Sequence, residues 1–199
     1  MVQANWSLPT RWLHIGLAVT VTAQLFISLI MEPPIHQDAS ALAHGAYQVH
    51  EAVGLAALAI VLAHWLWTMI AKADGGRAHL FPWRGEALAA VKGDIAALMN
   101  RRLPDGGPRG GLPGLVHGLG FLAVSGMAMT GAVLFEIFPD AGRPGPIAHG
   151  FKEVHQFLAN FVWAYWYGHV GLALLHKWSG HPNVKAMFSL GARNSFSGD

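Results

Sequence analysis

Four stretches of this chain contain no Asp, Glu, Lys or Arg, and they constrain its fold more than any other feature: residues 13–31, 52–71, 110–135 and 154–176. Each is long enough to cross about 30 Å of hydrocarbon as a helix. A soluble core can absorb one such run, but a 199-residue globule has little room for four helices that are apolar all round. The chain is 53% hydrophobic and only 12% charged, where a soluble domain carries about 25% charged residues. The expectation is an all-α integral membrane protein: a four-helix transmembrane bundle forming one membrane domain over residues 1–199, with spans at about 12–31, 48–71, 112–135 and 153–177. The first run can also be read as a cleaved signal peptide, because Ala39-Ser40-Ala41 has the small-x-small form. Its apolar length exceeds a usual signal core, however, and only Arg11 precedes it.

With four spans both termini share a face, and the basic residues say which. Arg11, Lys72, Arg77, Arg84, Lys92, Arg101, Arg102, Arg109, Lys177, Lys185 and Arg193 fall on one side, and only Arg143 and Lys152 on the other. The positive-inside rule then makes both termini cytoplasmic. The pI of about 9.2 records this topology and not nucleic-acid binding. Between the second and third spans, Leu88, Val91, Ile95, Leu98 and Met99 recur at helical spacing among Glu86, Lys92, Asp94 and Arg101. That pattern predicts a short amphipathic helix over about 85–100, lying on the cytoplasmic lipid surface.

The chain has no cysteine, which excludes disulfides, thiolate iron–sulfur clusters and covalent haem attachment. It has twelve histidines, seven of them in or at the ends of the spans: His14, His50, His64, His117, His155, His169 and His176. Ionisable residues within a membrane are costly and mark function. His155 and His169 stand 14 residues apart, which leaves them about 40° off a common helix face and about 21 Å apart along the axis. They cannot share one metal, but they can hold two cofactors at two depths, each completed by a ligand from another helix. His50 and His64 repeat the spacing on the second span. Since the second and fourth spans run the same way, His50 is level with His155 near the periplasm and His64 with His169 toward the cytoplasm. His14 reaches the depth of His169 too, and spacing alone does not choose between it and His64. Two neutral imidazoles suit the axial positions of haem iron, and glycines such as Gly54, Gly118, Gly120, Gly126, Gly131 and Gly168 leave room for a flat macrocycle. A zinc or copper site, or a His-rich metal transporter, needs ligands converging on one point, and no span carries such a cluster.

These residues resemble the bacterial cytochrome b561 family of small diheme membrane cytochromes. The fourth span, HQFLANFVWAYWYGHVGLALLHKWSGHPNVKAMF from His155, is similar to the family's pattern of three histidines and polar tail. RWLHIGLA resembles the opening of the family's first span, VHEAVGLAAL its His-x-x-x-Gly element, and VHGLGFLAVSGMAMTG its third span. The resemblance implies two haem b groups, one between His14 and His169 on the cytoplasmic side and one between His50 and His155 on the periplasmic side. The chain departs from the family at His64, where relatives tend to carry Arg, and at Ala128, where they tend to carry Pro. His64 therefore stands as the alternative to His14.

Secondary candidates surround these ligands. His117 is a candidate contact for a quinone carbonyl or a haem propionate, and His176, nearer the water, suits an interfacial or propionate role. Arg11 and Lys152 each lie three residues before a proposed ligand and can neutralise propionates. Lys152 runs against the positive-inside bias and is the candidate for steering an anionic substrate. Bis-histidine ligation leaves no open iron position, so outer-sphere electron transfer is expected. The resemblance implies a quinone as the membrane partner, with either a superoxide:ubiquinone oxidoreductase or the haem subunit of a periplasmic dehydrogenase as the physiological setting.

Overall fold

In the computed structural model the structure describes residues 6–36, 38–71, 76–102, 111–178 and 187–188. Among them there is no strand. Six helices follow in order: α1 (Leu8–Ile27), α2 (Ala41–Ile70), α3 (Gly76–Leu80), α4 (Gly85–Met99), α5 (Gly111–Ile137) and α6 (Pro146–Trp178). The long helices begin where local chemistry allows. Pro9 sits in the first turn of α1 and Pro146 opens α6, positions where the missing N–H costs nothing. At α2, the Ser40 hydroxyl accepts from the Ala43 N–H at 3.2 Å.

Two helices, α2 and α5, are long and apolar enough to cross a membrane by length and composition. Histidines, indoles and amides interrupt the apolar sequence of α1 and α6 and lower their mean hydropathy. Even so, both expose large apolar side chains, Val19 and Phe26 on α1 and Phe157 and Phe161 on α6.

The backbones pack α1 against α2, α2 against α5 and α5 against α6, while α1 and α6 meet mainly through side chains. Each outer pair of helices is zipped in antiparallel register. Between α1 and α2, the Trp67 indole donates to Thr10 at 2.9 Å, Gly16 accepts Ile60, and the Gln24 amide donates to the His50 carbonyl at 2.8 Å. Between α5 and α6, Gly120 faces Tyr165, Gly126 faces Leu158 and Gly131 faces His155. The two pairs are joined along the α2–α5 seam, where Trp65 donates to the Ser125 hydroxyl at 3.0 Å. Midway along the bundle, Leu25, Val61, Phe121, Val124 and Val162 form a buried apolar waist. Trp166 closes it on the open side by donating to Thr22 at 3.0 Å.

The segment between α2 and α5 is docked on α5. The α3 backbone rests on Gly114 and Gly118, where any Cβ would collide with the carbonyls of His79 and Leu80. From α4, the Asp94 carboxylate accepts from the Leu112 N–H at 2.9 Å, capping the start of α5. Gly111 there has φ +72°, and a side chain at that position would also strike Asp94.

Candidate haem-binding site

Above the waist, His50 of α2 and His155 of α6 face each other across the bundle with ring centroids 6.4 Å apart and planes at 81°. They line a cavity of about 610 Å³ together with Gln24, Gly54, Gly131, Glu51 and Lys152, within the roughly 300–1,000 Å³ of small-molecule and cofactor sites. Below the waist, His14 of α1 and His169 of α6 have ring centroids 6.1 Å apart with planes at 56°. Both pairs can be compared with what one metal ion requires. Metal–imidazole bonds of about 2 Å on either side, plus roughly 1.1 Å from each nitrogen to its ring centre, put trans imidazoles about 6 Å apart. Both pairs have that separation.

The polar atoms fit as well. Among the described residues, the buried Nδ1 atoms of His14 and His50 have no hydrogen-bond partner, and buried polar atoms without one are uncommon. Each pair, His50 with His155 and His14 with His169, is thus spaced as two imidazoles on one haem iron would be. Among the described residues no group of three or more His, Asp or Glu side chains is arranged to hold a bare metal ion.

The other sequence candidates are distributed around these pairs. His64 turns to its own helix, with Nδ1 3.2 Å from the Thr68 hydroxyl and its ring 4.6 Å from that of Phe121. His117 donates through Nδ1 to the Pro113 carbonyl at 2.7 Å, and its ring lies 4.9 Å from His169. Lys152 lines the upper cavity, whose wall also carries Glu32 and Glu51. Arg11 is partly buried one turn before His14. His176 is half-buried near the end of α6 and donates to the Leu172 carbonyl at 2.9 Å.

Several participants escape a reading by residue type. Gln24 holds the backbone of His50. Tyr165 stacks on His169 with ring centroids 5.3 Å apart and planes at 19°. Thr130 lies 2.8 Å from His155 Nδ1. Gln24 is the lone amide in an otherwise apolar run, the one signal that could have marked it.

Among curated proteins and among solved structures, nothing matches the chain. Prokaryotic cytochrome b561 matches it over residues 5–190, nearly its whole length. The chain belongs to the prokaryotic cytochrome b561 family, and is a membrane b-type cytochrome of electron transfer.

Proposed function

We propose that this protein is a four-span, diheme cytochrome that carries electrons between a periplasmic donor and the quinone pool of the inner membrane, with both termini cytoplasmic. The observation that carries the reading is the pair of imidazole separations, 6.4 Å and 6.1 Å, on either side of one apolar waist. His50 and His155 hold the periplasmic-side haem, and His14 and His169 the cytoplasmic-side haem. When bound, these groups would supply one-electron redox chemistry, with the four histidines holding them.

The chain's own residues do the rest. α6 sets the spacing of the two sites, since its two histidines lie about 21 Å apart along the axis. The waist keeps water out between them. His117, with Nδ1 engaged by Pro113, presents its other nitrogen to the inner site, where it contacts a quinone or a propionate. Arg11 serves a propionate on the same side. Lys152, at the wall of the outer cavity, supplies positive charge to a propionate or to an anionic substrate. That charge favours superoxide:ubiquinone oxidoreductase activity by the protein alone, and an anionic patch on a periplasmic dehydrogenase is the second partner it suits.

The test is direct. Purified protein should show a reduced-minus-oxidised b-type spectrum with two haems per chain, reducible by superoxide and reoxidised by ubiquinone with no partner protein present. One haem per chain sinks the diheme reading. Two haems with no response to superoxide leave electron delivery to a partner protein as the function.

A further inference from the structure

Thr130 and Gly131 lie on α5 directly across from His155. The Thr130 hydroxyl oxygen is 2.8 Å from His155 Nδ1, 2.8 Å from the Gly126 carbonyl and 3.1 Å from the Met127 carbonyl. A threonine hydroxyl has one hydrogen and two lone pairs. The bond back to the preceding helical turn takes the hydrogen, so toward His155 the oxygen accepts and Nδ1–H donates, with the Met127 carbonyl as a second acceptor for the His155 ring. A neutral imidazole with its proton on Nδ1 keeps its lone pair on Nε2. Gly131 permits the approach, because a Cβ there would stand 3.2 Å from His155 Cε1 and crowd the ring.

We infer that Thr130 is a positioning residue for His155: it holds the Nδ1 proton, leaves Nε2 as the ligating nitrogen, and so governs haem retention and midpoint potential on the periplasmic side. The inference rests on His155 being an axial ligand. Partners of this kind fix ring orientation and raise the basicity of a metal-bound imidazole. The opposite ligand is held differently. Gln24 grips His50 only through its backbone carbonyl, and among the described residues His50 Nδ1 has no partner. Of the outer pair, His155 alone is oriented by a side chain on its ring. The α5–α6 register also brings His117 to His169 at the other depth, so the two α6 histidines meet different partners, a hydroxyl above and an imidazole below.

The experiment compares Thr130→Val, Thr130→Ser and His155→Ala in the haem-loaded protein. Thr130→Val removes the acceptor at nearly constant shape. One haem should then pass to an apoprotein acceptor about tenfold faster, its midpoint potential should rise as the imidazole becomes a weaker donor, and its low-spin resonance spectrum should shift. Thr130→Ser should restore all three. If Thr130→Val does not insert, Thr130→Ala against Thr130→Ser makes the same comparison. An unchanged potential and retention in the Val or Ala variant overturns the inference, as does a Ser variant that behaves like them, since the methyl group would then be what matters. His155→Ala separates the two claims. Two haems retained in that variant overturn the ligand assignment, whereas one haem lost there with Thr130→Val unaltered overturns only the role of Thr130.

Discussion

His14 and His64 compete for one role, and their surroundings differ. The ring of His14 stands 6.1 Å from that of His169, whereas His64 Nδ1 lies 3.2 Å from Thr68 and its ring packs on Phe121. His14→Met should therefore reduce haem content from two to one per chain, while His64→Met should leave two, as measured by haem extraction against protein concentration. Lys152→Glu reverses a charge at a cavity wall that already carries Glu32 and Glu51. The substitution should slow reduction by an anionic donor about tenfold and make the rate rise with ionic strength, as read by stopped flow at varied salt. The histidines were legible in the sequence because a 14-residue repeat in an apolar helix carries a geometric meaning. Gln24 and Tyr165 were not, and Thr130 stood out only in the Thr-Gly that resembles the family's third span. Their importance comes from what an adjacent helix places opposite them, and that register has no signature within any one segment.

Apolar length alone locates helices only where they are buried in hydrocarbon. The sequence predicts spans from about 48 and about 153, while α2 begins at Ala41 and α6 at Pro146. Ser40 and Pro146 are the physical starts, and the polar first turns lie beyond the apolar stretch that hydropathy detects. At about 1.5 Å per residue, the 33 residues of α6 reach about 50 Å, well beyond a hydrocarbon layer of about 30 Å. Charge-bearing Lys152 and Glu153 thus belong to the same rigid rod as His155. The helix α4 spans Gly85–Met99, and nothing within that segment's own sequence marks Asp94 as the cap of another helix. Removing that acceptor in Asp94→Ala should cost about 1 kcal/mol, visible as a lower melting temperature in detergent. Gly118→Leu should do more, because its side chain would displace the α3 backbone from α5. Increased protease sensitivity between α2 and α4 would register that loss of docking.

At the level of the whole molecule, the asymmetry of basic residues calls for one orientation, and the absence of cysteine makes it easy to measure. Single cysteines placed at Arg143 and at Lys92 should react from opposite sides of sealed vesicles, the first from the periplasmic face. Reaction of both from one face would overturn the four-span arrangement. The waist of Leu25, Val61, Phe121, Val124 and Val162 has a consequence of another kind. On the proposed diheme reading it is an apolar layer between two haems about 21 Å apart, some two-thirds of the hydrocarbon thickness. A full membrane crossing is worth about 2.3 kcal/mol per charge for every 100 mV, so an electron passing between the two histidine pairs would exchange roughly 1.5 kcal/mol with the membrane field per 100 mV. The resting voltage of the cell would then bias which haem holds a shared electron, and the bundle would store charge as a small capacitor does.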